Sequence, residues 1–150
     1  MDNLAKARAL AVLVPAALLG GAYVSQYGFG LFPCEMCWWQ RYPHFAALAL
    51  GLTGFAIKPA ARPLVLLAGL AILVSGVIGL FHAGVEYGWW EGITDCTAHA
   101  PTGSAFDFAS PVVPCDVPQW KLWGVSLAGF NFLFSGLGGA AVVALAAYRK

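Results

Sequence analysis

Residues 64–85 read LVLLAGLAILVSGVIGLFHAGV, without one Asp, Glu, Lys or Arg. At about 1.5 Å of rise per residue, a helix of this stretch spans about 33 Å, enough to cross a hydrocarbon core of about 30 Å. Similar stretches occur on either side. Ala9–Tyr27 carries no charge, and none follows until Glu35. Trp38–Ile57 is a further apolar stretch, interrupted near its start by Arg41 and Pro43, where an arginine can snorkel to the interface and a first-turn proline is tolerated. Leu122–Tyr148 is again free of charge and is closed by Arg149 and Lys150. Lys6 and Arg8 ahead of the first run could mark a signal peptide, but the run exceeds the usual apolar region of about 7–15 residues.

Composition agrees. The chain of 150 residues is 60% hydrophobic and 10% charged, with mean hydropathy +0.74, against roughly 25% charged in soluble domains. The expected fold is an all-α, four-helix transmembrane bundle forming a single domain over residues 1–150, with no room for a second soluble domain. The net charge of +1 carries no basic cluster, which argues against a nucleic-acid partner. Lys58, Pro59, Arg62 and Pro63 form a short connection. Glu86–Lys121, with five acids, four prolines and two cysteines, reads as a long polar loop.

Lys6, Arg8, Lys58, Arg62, Arg149 and Lys150 fall on one side of this arrangement, and Arg41 and Lys121 on the other. The basic side is expected to be cytoplasmic, together with both termini. All six tryptophans then gather at the outer side as half of an aromatic belt. The pairs Ser75 with Gly79 and Ser135 with Gly139 would let helices pack closely.

The same topology puts Cys34, Cys37, Cys96 and Cys115 on the oxidising side, where disulfides persist. Cys34-Glu35-Met36-Cys37 is a CxxC pair at a helix start, a position that brings sulfurs together and favours a thiolate. Zinc is an alternative for four cysteines, but Cys96 and Cys115 do not form a second CxxC knuckle. Two structural disulfides in a membrane scaffold are another. Redox work is favoured by Arg41, one helical turn beyond Cys37, where a cation can stabilise a thiolate or a reduced anionic cofactor. It is favoured also by the lipid phase, which offers a lipid-soluble electron acceptor.

At these residues the chain resembles the DsbB family, quinone-dependent membrane oxidases that regenerate the periplasmic thiol oxidase DsbA. The resemblance rests on the stretch Cys34-Glu-Met-Cys37-Trp-Trp-Gln-Arg41, the second outer loop with its cysteine pair, and Pro118-Gln-Trp120 entering helix four. It implies a protein of the bacterial inner membrane with its cysteines facing the periplasm, ubiquinone or menaquinone as cofactor, and a DsbA-like partner. It further implies that Cys96 and Cys115 form the disulfide that oxidises the partner, with Cys96 taking the partner's thiolate. Cys115 would then attack Cys34, and Cys37 would pass electrons to quinone beside Arg41.

The lead-in His82-Ala-Gly-Val-Glu86-Tyr-Gly-Trp89-Trp90 resembles a subset of the family. His82 is a further candidate for the quinone site, its plainer reading being an interfacial histidine with a local hydrogen bond. Glu86 and Glu91 read as a solvated edge, and His44 and His99 as structural or solvated. A four-helix quinone reductase resembling vitamin K epoxide reductase is a rival, but there the loop pair precedes the CxxC, whereas here the CxxC comes first.

Overall fold

The computed structural model describes residues 2–94, 96 and 113–148. His99 and the closing Arg149 and Lys150 lie outside the described residues, as does most of the span between Cys96 and Cys115. Four helices carry the fold: α1 (Asn3–Phe29), α2 (Glu35–Ala56), α3 (Ala61–Glu86) and α4 (Leu127–Ala147), with a 3-10 turn at Lys58–Ala60.

Caps set boundaries that hydropathy does not see. Asp2 accepts from the Ala5 amide at 2.6 Å, so α1 begins before its charge-free run and takes Lys6 and Arg8 into the helix. Cys34 caps α2 through its sulfur, so Pro43 lies well inside the helix and not in its first turn. The largest departure is helix four. Its expected first residues form a hairpin of β1 (Lys121–Leu122) and β2 (Val125–Ser126), paired Lys121 to Ser126 and Leu122 to Val125. The turn needs positive φ at both central residues, and Trp123 (51°) and Gly124 (82°) supply it. Ser126 then caps α4 by accepting from the Gly129 amide at 3.1 Å.

The segment Lys58–Glu86, α1 and α4 are each long and apolar enough to cross a membrane. α2, with 22 residues, is long enough but less apolar, because its first half holds Gln40, Arg41 and His44. All three are buried. The polarity of the molecule is thus inverted relative to a soluble protein. Leu52, Phe55, Leu67, Val74, Val77, Phe134 and Leu137 are exposed, while Gln26, Gln40, Arg41, His44, Ser75, His82 and Ser135 are inside. An ionisable residue turned inward within a membrane bundle is a candidate functional residue.

Small residues let the helices close. Ala7, Ala11, Ala47, Val65, Ala68, Ile72, Val142 and Ala146 form the core away from the cysteines. Along the α3–α4 seam, a Cβ on Gly79 would lie 2.9 Å from the Ala128 carbonyl oxygen, and one on Gly139 would lie 3.0 Å from that of Gly69. The expected close packing at these glycines is therefore present. At the opposite end Arg62 donates to the Ala146 carbonyl, tying α3 to the end of α4.

Candidate functional site

The CxxC pair straddles the start of α2. Cys34 precedes the first turn in extended conformation, and its sulfur accepts from the Cys37 amide at 3.3 Å. The two sulfurs stand 3.0 Å apart, with Cys34 donating its hydrogen to Cys37. That donation, reinforced by burial, pushes the Cys34 thiol well up from its ordinary value and holds the proton on that sulfur. Cys37 thus sits where both a hydrogen bond and the helix N-terminus favour negative charge. Cys34, Cys37 and His82 cluster closely enough to suggest a metal. Two sulfurs on one tetrahedral zinc stand about 3.8 Å apart, however, given Zn–S bonds of about 2.3 Å, so the spacing here suits a dithiol better.

Cys96 and Cys115 form a disulfide, with Cα atoms 5.5 Å apart and the Cys115 amide donating to the Cys96 carbonyl at 3.2 Å. Cys115 is buried and Cys96 half-buried. Thr94 Oγ1 lies 2.9 Å from Cys96 Sγ. The loop pair packs directly on the CxxC, since Cys34, Met36, Val85 and Cys115 share one buried cluster with Cys37 and Cys96 against it.

His82 joins the two pairs. Its Nε2 is 3.1 Å from the Cys115 carbonyl oxygen and 3.6 Å from Cys34 Sγ, and its Nδ1 is 2.8 Å from Gln40 Nε2. Glu86, one turn on, brings Oε1 within 3.8 Å of Nε2 with its side chain only 7% exposed. The expectation of a solvated edge at Glu86 is therefore corrected. The i,i+4 spacing from His82 was the available signal, but a charge beside two tryptophans and a glycine also fits a loop.

On the other side of Cys37 lies a cavity of about 260 Å³ between α1, α2 and α4, lined among others by Cys37, Gln40, Arg41, His44, Asn131 and Phe134. Arg41 turns into the protein. It is 6% exposed, donates to Gln26 Oε1 at 2.7 Å and to the Ala22 carbonyl at 3.4 Å, and lies between the rings of Tyr23 and Trp38 at 5.0 and 4.9 Å. His82 does not line this cavity; it borders a smaller space of about 30 Å³ with Cys34, Cys37 and Glu86. His44 also lines the larger cavity, and its Nε2 meets Asn131 Oδ1 at 3.1 Å and Ser135 Oγ at 3.2 Å. Gln26, Gln40 and Asn131 were not singled out from the sequence, although each is a polar side chain inside an apolar run.

A buried dithiol in contact with a loop disulfide, beside a cavity walled by an arginine, fits a known family. A family model described as "Disulfide bond formation protein DsbB" matches residues 5–146. The chain belongs to the DsbB family. It is 30% identical over 131 residues to disulfide bond formation protein B of Actinobacillus pleuropneumoniae, covering 79% of this chain and 72% of that protein. It is 28% identical over 142 residues to disulfide bond formation protein B of Marinobacter nauticus, covering 85% and 83%. An uncharacterized protein of Rickettsia prowazekii is 24% identical over 132 residues, covering 83% and 77%. No solved structure matches. DsbB membership makes the chain a disulfide oxidoreductase and a multi-pass membrane protein of disulfide bond formation.

Proposed function

We propose that this DsbB-family chain oxidises a periplasmic, DsbA-like dithiol partner and passes the electrons through its two cysteine pairs to a quinone of the bacterial inner membrane. One observation carries the reading: Cys37 is shared between the cluster that contains the loop disulfide and the cavity that contains Arg41. A redox path needs such a junction, whereas a scaffold with two structural disulfides has no use for a free dithiol there.

The steps are thiolate exchanges. The partner's thiolate attacks Cys96, the more accessible sulfur of the loop pair, and Cys115 leaves. The partner's second thiolate then breaks the mixed disulfide and leaves oxidised, with Cys96 and Cys115 both reduced. Cys115 attacks Cys34 of a Cys34–Cys37 disulfide, and Cys37 leaves as a thiolate. Attack of Cys96 on Cys115 restores the loop disulfide and releases Cys34. A bound quinone, ubiquinone or menaquinone, supplies a two-electron, two-proton acceptor, and the cavity residues fit it: an apolar wall from α1 and α4, with Arg41, Gln40 and Asn131 as polar groups. Arg41 would orient the head group and answer negative charge beside Cys37.

In this reading α2 also crosses the bilayer. Its polar residues are turned inward and its outward Phe45, Leu52 and Phe55 meet lipid, so its lower hydropathy does not disqualify it. Purified protein with a reduced thioredoxin-like partner and added quinone should bleach the quinone absorbance in step with partner oxidation. No bleaching, with the partner still reduced, would refute the proposal.

A further inference from the structure

Hydrogen bonds fix which way the buried amides between cavity and cysteines point. Asn131 Nδ2 lies 3.0 Å from the Ser75 carbonyl oxygen, which can only accept, so that atom is the amide nitrogen. The same nitrogen donates to Gln40 Oε1 at 2.9 Å. Gln40 Nε2 donates to the Met36 carbonyl at 3.1 Å, which leaves its second hydrogen for His82 Nδ1 at 2.8 Å. A nitrogen facing a donor must accept. The neutral imidazole of His82 therefore carries its hydrogen on Nε2, where that single hydrogen is shared between the Cys115 carbonyl oxygen at 3.1 Å, the nearer acceptor, and Cys34 Sγ at 3.6 Å, with Glu86 Oε1 at 3.8 Å.

We infer that Gln40, itself oriented by Asn131, is a positioning residue that locks His82 in the Nε2–H tautomer, so that His82 donates a hydrogen bond to the Cys34 sulfur instead of removing its proton. This rests on the cysteine relay proposed above. A histidine beside a cysteine is ordinarily read as a base. Here the nitrogen nearest the sulfur already holds a hydrogen, and the other nitrogen is occupied by a donor.

The effect falls on one exchange. As the Cys96 thiolate attacks Cys115 in the Cys34–Cys115 mixed disulfide, the Cys96–Cys115 bond forms and the Cys34–Cys115 bond breaks. Cys34 departs with the electron pair as a thiolate. Charge develops on Cys34 within reach of Nε2–H, a donor already in place, so the departing sulfur is stabilised with little reorganisation. Before the exchange the same hydrogen also faces the Cys115 carbonyl, so it bridges the two pairs and can shift toward Cys34 as charge develops there.

Full-length protein with 15N-labelled histidine, held in lipid nanodiscs, reports the tautomer through the shifts of the two ring nitrogens, assigned by their loss in His82→Asn. The wild type should show a protonated Nε2 and an unprotonated Nδ1. Gln40→Glu puts an acceptor where the amide donated and should move the hydrogen to Nδ1. The loop pair's recovery of its disulfide, followed by rapid alkylation after partner reduction, should then slow at least tenfold, with Asn131→Leu slowing it less. A wild-type spectrum with the hydrogen on Nδ1 overturns the proposal without any variant. So does a Gln40→Glu protein whose tautomer moves while its exchange rate stays. Failure of the relay itself reads differently: wild-type loop and CxxC pairs that never exchange, whatever the tautomer, would remove the catalytic part of the inference and leave the hydrogen-bond lock standing.

Discussion

A buried arginine must have its charge answered, and Arg41 is answered by neutral groups: an amide oxygen, a carbonyl and two aromatic faces. Among the described residues no carboxylate pairs with it. Its positive charge therefore remains available to whatever occupies the cavity. Arg41→Met keeps the stem that packs between Tyr23 and Trp38 but loses the charge. Hydrogen bonds to charged groups contribute about 1.5–3 kcal/mol, so the apparent KM for quinone should rise roughly tenfold or more, with protein levels near normal. Quinone titration of the purified variant checks this, and an unchanged KM would reduce Arg41 to a packing role. The loop cysteines give a second test. With Cys96 half-buried and Cys115 buried, Cys115→Ser should leave Cys96 able to trap the partner as a mixed disulfide, whereas Cys96→Ser should give no partner adduct. A purely structural bond predicts that the two variants behave alike, each losing about 2–4 kcal/mol. Non-reducing electrophoresis after alkylation separates the two models.

Among the elements, the seam between α3 and α4 leaves little room. Gly79 meets the Ala128 carbonyl, the Asn131 amide and the Phe132 backbone, so Gly79→Val must push α4 away. Overpacking of this kind costs about 1–3 kcal/mol and should lower the protein's unfolding midpoint in a denaturing-detergent titration. Because Asn131 also contacts Gln40, the displacement should slow thiol exchange as well. The helices were legible as long apolar runs, although caps and the hairpin moved their ends, and the glycine and serine spacing foretold the seam. The hairpin was hidden, since a Trp-Gly turn is a matter of backbone angles inside a charge-free run. The Gln40–His82 and Asn131–His44 bonds were hidden too, because each joins residues that only the packing of separate helices brings together. The grouping of Cys34, Cys37 and Arg41 was legible because their spacing at one helix start is itself the arrangement.

For the whole molecule, the proposed topology can be read directly. Reporters inserted between Lys58 and Arg62 should be cytoplasmic, and one beside Asp116 should be periplasmic. The opposite result would put the cysteines in a reducing compartment. A further consequence concerns how such a chain is made. The side chains that lower the hydropathy of α2, Gln40, Arg41 and His44, find their partners on α1, α3 and α4. An arginine within a membrane-embedded segment weighs against insertion by up to about 3 kcal/mol. While α2 is emerging from the ribosome, α1 has already been synthesised and α3 and α4 have not, so Gln26 is the partner already available for Arg41. α2 placed alone in a host protein should therefore fail to integrate in a glycosylation-mapping assay, whereas the α1–α2 hairpin should integrate, and Gln26→Leu should weaken that integration. Equal integration of α2 alone would refute the idea. If α2 crosses the bilayer as proposed, biogenesis is cooperative from the second helix onward, with the residues proposed for the chemistry making each new segment depend on its neighbours.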